Sequence, residues 1–138
     1  MRVGPFLLDT GFLVALINAA DPAHAPCVEL WRHLSGPFLT TEGVLVETAH
    51  MLRRKAEGFP TAWGLLTSVG TMLAAPTRHR IDRAAALMQK YADVPMDFVD
   101  ATLVALAEET RVRDVLSLDA RGFDTYRTAA DQRFRRLP

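Results

Sequence analysis

Four acids in this chain stand at positions where carboxylate chemistry could be assembled. Asp97 and Asp100 open the apolar stretch Asp97-Phe98-Val99-Asp100-Ala101-Thr102-Leu103-Val104-Ala105-Leu106-Ala107-Glu108-Glu109. Three positions apart on a helix, they lie over one another on the same face of the first turn. Asp9 follows the apolar run Phe6-Leu7-Leu8, and Asp119 follows Val115-Leu116-Ser117-Leu118. If these acids meet they repel one another, which raises their pKa values or loosens the fold unless a cation joins them. Mg²⁺ or Mn²⁺ would suit, since such ions take oxygen ligands, keep several waters and commonly share a few carboxylates with a substrate phosphate. A site of that kind can hydrolyse a phosphodiester, with the metal activating a water and neutralising the departing oxygen. Three of these acids also have a plainer use. Asp97 can cap a helix with Asp100 at its third position, and Asp9 or Thr10 can cap the helix that follows the first apolar run.

The elements that would carry these residues follow from the pattern of apolar runs and breaks. Residues 98–109 are too long for one strand and read as a helix buried nearly all round. Phe6–Leu8, the turn Asp9–Gly11 and Phe12–Ala20 read as strand, turn and helix. Asp21-Pro22 marks a helix start with Pro at the first helical position, running to Leu34 and stopped by Ser35-Gly36-Pro37. Phe38–Thr41 reads as a second strand, and Thr41 as the cap of a helix from Glu42 to about Lys55. On that helix Val44, Leu45, Thr48, Ala49 and Leu52 form the apolar stripe, while Glu47 falls on the other side with His50 and Arg54. Periodicity therefore gives Glu47 no role beyond an ordinary surface acid. A helix is expected over 61–73, a short basic extended segment over 77–81, and a helix over 82–91. Asp114–Leu118 reads as a strand, Ala120–Tyr126 as a short helical turn, and Phe134–Leu137 as an edge strand. Strands and helices alternate, which predicts a parallel sheet between two helical layers. In such a sheet Asp9 and Asp119 share one rim, at the carboxyl ends of the strands, where ligands bind.

Composition bounds the partners. The 138 residues suit one domain, and 49% are hydrophobic, enough for a sizeable core. Lys+Arg and Asp+Glu balance at 16 each, which excludes a polyanion binder coated in positive charge but leaves room for segregated patches. A single cysteine, Cys27, excludes an internal disulfide, and no paired Cys/His spacing points to zinc. Asp9 interrupts what could pass for a short signal sequence, and no apolar run approaches a membrane span, so a cytoplasmic protein with no membrane association is expected.

Leu7-Leu8-Asp9-Thr10, Thr41-Glu42-Gly43-Val44-Leu45-Val46-Glu47, Tyr91-Ala92-Asp93-Val94-Pro95-Met96-Asp97-Phe98-Val99-Asp100-Ala101, and Leu116-Ser117-Leu118-Asp119 followed by Phe123 together resemble a PIN-domain ribonuclease. The likeness is greatest to the VapC-type toxins of bacterial toxin–antitoxin pairs. The resemblance implies a three-layer α/β/α sandwich with a short, mostly parallel sheet, one nuclease domain over 1–138, and an Mg²⁺- or Mn²⁺-dependent endoribonuclease. Its acids fall on Asp9, Glu47, Asp100 and Asp119, with Asp97 as a frequent additional ligand and Thr10 as the hydroxyl residue after the first Asp. Ser117 stands where the family commonly has Thr, which keeps a small hydroxyl. The resemblance further implies attack of metal-activated water on RNA phosphorus, leaving a 5′-phosphate and a 3′-hydroxyl, with Arg54, Arg78 or Arg121 as candidates to hold the RNA. It also implies a homodimer and a cognate antitoxin protein that inserts into the active-site groove.

Other readings of these residues fare worse. Asp9-Thr10-Gly11 also spells an aspartic-protease signature, but that fold is all-β and uses two such motifs. A haloacid-dehalogenase-type phosphatase would want an Asp where Gly11 stands, and a receiver domain would want a rim lysine, whereas the only lysines are Lys55 and Lys90. A PIN-like module that binds RNA or protein without cutting is the remaining rival. So much negative charge gathered near phosphates would serve such a module poorly.

Overall fold

The computed structural model describes residues 1–138. Its central sheet has five parallel strands, β2 (Phe6–Leu8), β4 (Phe38–Thr41), β5 (Met72–Ala74), β6 (Asp114–Leu116) and β7 (Arg135–Leu137), in the order β5-β4-β2-β6-β7. A separate two-stranded parallel pair joins β1 (Arg2–Val3) to β3 (Leu34–Ser35). Helices α1 (Thr10–Ile17), α2 (His24–Arg32), α3 (Glu42–Met51), α4 (Gly58–Ser68), α5 (Arg78–Lys90), α6 (Phe98–Thr110) and α7 (Ala120–Phe123) fill the connections. This is the expected α/β sandwich, and no helix is long and apolar enough to cross a membrane.

The inner strands β2 and β4 are buried along their whole length, as a parallel sheet covered on both faces requires. In α6 the residues Ala101 and Leu103–Ala107 are all buried, so this helix is the apolar centre of its layer. Each fully buried leucine there contributes about 1.5–3 kcal/mol relative to exposure. The helix α5 packs along it and is fastened by two ion pairs. Arg83 Nε and Nη2 donate to Glu108 at 2.8 Å each, and Arg80 Nη2 donates to Glu109 at 3.0 Å. The first pair is a two-point guanidinium–carboxylate contact of the geometrically specific kind.

Several expected boundaries move. The first helix begins at Thr10 with no intervening turn, and Asp9 is its cap. The second begins at His24, so Pro22 lies outside it, in a turn where Asp21 accepts from the Ala23 amide at 2.9 Å. Residues 72–74 are strand β5 instead of a helix end. Gly70, at φ +66°, closes α4 in a left-handed turn, with Gly70 N–H donating to Thr67 O at 3.1 Å and Thr71 N–H to Leu66 O at 3.0 Å. Residues 78–81 are helical, because the Thr77 hydroxyl accepts from the Arg80 amide at 3.3 Å and starts α5 there. The α3 helix ends at Met51, short of Lys55.

Candidate active site

Each acid is delivered by an element that ends or begins at the carboxyl rim of the sheet. Asp9 leaves β2 and caps α1, its Oδ1 accepting from the Thr10 amide at 2.8 Å. Its Oδ2 accepts from Ser117 Oγ at 2.7 Å, and that same Oγ accepts from the Asp119 amide at 3.0 Å. One buried hydroxyl thus ties the end of β2 to the turn after β6, setting Asp9 and Asp119 side by side. Asp119 then caps α7 through Oδ1, which accepts from the Gly122 amide at 3.0 Å. Asp97 caps α6 by accepting from the Asp100 amide at 2.8 Å. The capping roles anticipated for Asp9 and Asp97 are therefore real, and they coexist with the clustering of these acids.

The start of α6 is held against two other elements. Thr102 Oγ1 lies 2.8 Å from Thr41 Oγ1, which joins α6 to the junction of β4 and α3. Tyr126 Oη donates to Asp100 Oδ2 at 2.9 Å. Glu47, one and a half turns into α3, is half-buried on the side of the groove between α3, β5, α5 and α6. That groove, of about 570 Å³, is lined by Glu47, Val46, His50, Ile81, Phe98 and Thr102 among others. The expectation that Glu47 is an ordinary surface acid is corrected here: the opposite face of α3 fronts this groove.

Electrostatics record the convergence. Burial pushes the Asp9 carboxyl up to about 6; hydrogen bonds from Ser117 and Thr10 oppose this, and the charges of Glu47 and Asp119 add to it. Asp100 is pushed up to about 7, by burial first and then by Asp97, with the Tyr126 hydrogen bond opposing and Asp9 and Asp119 adding. Burial and the neighbouring Asp100 push the Tyr126 phenol well above its ordinary range, so it stays a donor. Asp9, Asp100 and Asp119 thus lie within electrostatic reach, with Glu47 acting on Asp9 and Asp97 on Asp100. No three His, Cys, Asp or Glu side chains form a ready-made metal cage. The donor set nevertheless fits a hard divalent cation that keeps part of its water shell, since such ions need only one or two carboxylates at a time. A second observation agrees: Thr10 Oγ1 is buried beside Asp9 with no hydrogen-bond partner in the chain, and a buried polar atom calls for one.

Three contributors escaped sequence reasoning. Tyr126 reaches Asp100 across 26 residues and Thr102 reaches Thr41 across 61, and long-range pairs leave no local pattern. Gly122 is the third, since a Cβ there would collide with Asp119 Oδ2 and the Tyr126 ring. Of the candidate RNA-binding arginines, Arg78 pairs with Asp82, whereas Arg121 is exposed on α7, two residues from Asp119.

Fold and site together define an α/β/α sandwich with a carboxylate cluster on the carboxyl rim of its parallel sheet. Residues 6–129 match the PIN domain family, and the chain belongs to it. It is 28% identical to Ribonuclease VapC26 of Mycobacterium tuberculosis over 135 residues, covering 96% of this chain and 99% of that protein. Among solved structures it is similar to M. tuberculosis VapC20, a toxin that cleaves the sarcin-ricin loop, with TM-score 0.77 and 24% identity over 85% of this chain and 92% of that one. It is also similar to VapBC2 from Rickettsia felis, solved with a DNA fragment from its promoter, with TM-score 0.65 and 12% identity over 98% of this chain and 100% of that one.

Proposed function

We propose that this protein is an Mg²⁺- or Mn²⁺-dependent endoribonuclease and the toxin of a type II toxin–antitoxin pair, acting in the cytoplasm through one PIN-like domain. The observation that best supports the reading is the Ser117 hydroxyl joining Asp9 to the Asp119 turn, with Asp100 in electrostatic reach of both and Asp9 and Asp100 pushed toward neutrality. A fold tolerates such repulsion at a cost, and functional sites are where that cost recurs. When bound, a divalent cation would supply charge neutralisation and make a water acidic enough to attack phosphorus near neutral pH.

The chain's own residues do the rest. Asp9, Glu47, Asp100 and Asp119, with Asp97 beside them, would hold the cation and take up the proton released by the attacking water. Ser117 fixes Asp9 relative to Asp119, and Thr102 fixes α6 relative to α3. Attack on a phosphodiester breaks the bond to the 3′-oxygen, giving a 3′-hydroxyl and a 5′-phosphate. Arg121 is the arginine best situated to meet the RNA backbone, because it is exposed, makes no ion pair and lies on the short helix that Asp119 caps. Two protein partners belong to this reading: a cognate antitoxin that occupies the acidic site, and a second copy of the chain covering the apolar groove beside α5.

The test is incubation of purified, antitoxin-free protein with total RNA and Mn²⁺ or Mg²⁺, beside EDTA and an Asp100→Asn variant. Discrete fragments that need both the metal and Asp100 are expected, with a rate loss in Asp100→Asn of more than about 100-fold, beyond what removal of an outer-shell partner usually costs. Metal-independent cleavage, or cleavage unchanged by the substitution, rejects the assignment.

A further inference from the structure

Tyr126 places a hydroxyl where packing asks only for a ring. The side chain is 1% exposed and sits edge-on to Phe123, centroids 5.3 Å apart, and to Tyr91 at 5.2 Å. A phenylalanine would fill that space. The hydroxyl instead donates to Asp100 Oδ2 at 2.9 Å, and it is the one donor in the chain that meets the Asp100 carboxylate. Gly122 makes the contact possible. A Cβ at 122 would stand 2.9 Å from both Tyr126 Oη and Cε2 and would collide with Asp119 Oδ2, closer than non-bonded atoms pack. The missing side chain therefore lets the phenol and Asp119 share the space next to Asp100. The last turn of α7 sets the ring's height, with the Tyr126 amide donating to Gly122 O at 2.9 Å.

We infer that Tyr126 is a positioning residue for the divalent cation: its hydroxyl occupies one oxygen of Asp100, fixes the carboxylate's rotation, and leaves the other oxygen as a single-point ligand. An aspartate with both oxygens free can rotate or chelate a cation through two points. One engaged by a buried phenol offers a defined single oxygen, which is the more demanding geometry that small hard cations need. Sequence pattern gave this tyrosine no role, and its action is through Asp100 and not on the RNA.

The inference rests on the nuclease reading, so wild type and variant are measured together. Mn²⁺ affinity by calorimetry, thermal melting in EDTA, and the kcat and KM of RNA cleavage are compared for wild type and Tyr126→Phe. The variant keeps the ring and is expected to melt cooperatively in EDTA. Its Mn²⁺ affinity should fall about 10- to 100-fold, as loss of an outer-shell partner typically causes. kcat should fall with it at limiting metal, KM for RNA should hold, and excess Mn²⁺ should restore the rate. Unchanged Mn²⁺ affinity, or a variant that no longer folds, overturns the positioning role while leaving the nuclease reading intact. A wild-type protein that neither binds Mn²⁺ nor cleaves RNA overturns both.

Discussion

Asp9 and Asp100 hold their protons to higher pH in the folded chain than in the unfolded one when no cation is near. The ordinary carboxyl value is 3.8, and the folded values are about 6 for Asp9 and about 7 for Asp100. Between the ordinary and folded values the native state holds protons that the unfolded state has released. Their stabilising effect is therefore complete below about pH 4 and is lost as pH rises through 6 and 7. At 1.36 kcal/mol per unit, the effect for buried Asp9 is at most about 3 kcal/mol. In EDTA the protein should melt at a lower temperature at pH 8 than at pH 5. Asp9→Asn should flatten that difference by raising the melting temperature at pH 8, because the amide oxygen still accepts from Thr10 and its NH₂ can donate to Ser117 Oγ in place of the bond Oδ2 accepts, without carrying charge. Saturating Mn²⁺ should raise the wild type at pH 8 by mass action and leave Asp9→Asn little changed. Scanning fluorimetry at the two pH values checks all three, and an Asp9→Asn variant less stable than wild type at pH 8 in EDTA would contradict the assignment of the strain to this carboxylate.

At the scale of elements, the start of α6 carries two functions in adjacent residues, and substitution can separate them. Asp97 caps the helix through Asp100 N–H and also lends its charge to the cluster. Asp97→Ala should lose the cap, at about 1 kcal/mol, whereas Asp97→Asn should keep it. Melting in EDTA should therefore separate Ala from Asn, while Mn²⁺ affinity should fall in both, by less than in Asp100→Asn. Equal Mn²⁺ affinity in wild type and Asp97→Asn would reduce Asp97 to a cap. The cap was legible in the sequence because it is local: an Asp just before an apolar run of helical length. Local pattern also showed the possible cap at Asp9 after Phe6–Leu8, the strand-end position of Asp119 after β6, and the alternation that predicts the parallel sheet. What was not legible depended on contacts far along the chain or on backbone shape. Residues 72–74 look like the continuation of α4 until Gly70 turns left-handed, and β1 and β3 are two residues each, too short for any period. Glu47 is silent on the helical wheel because the face of α3 it occupies meets a groove built by β5, α5 and α6. The resemblance to a family supplied that acid; periodicity could not.

At the scale of the whole molecule, the apolar groove beside the acids requires a cover. Val46 on α3, Ile81 on α5 and Phe98 on α6 line it and are 65%, 42% and 41% exposed. Met72 and Leu73, also exposed, lie on β5, the outermost strand of the sheet on that side. Exposed apolar side chains around a groove beside an open strand edge mark an interaction site. A formal net charge of zero does little to keep copies apart. A second copy of the chain answers both facts, because a two-fold interface would bury Val46, Ile81 and Phe98 from each partner. Antitoxin-free wild type should then run in light scattering at twice the 15.3 kDa chain mass. Ile81→Asp should leave the exposed position folded but set an unpaired charge in the interface, a change that costs several kcal/mol when the charge is desolvated. It should run at the single-chain mass. Mn²⁺ affinity should survive in that monomer, since none of the five acids lies on α5. A wild type that is monomeric without its antitoxin would instead assign the groove to the antitoxin.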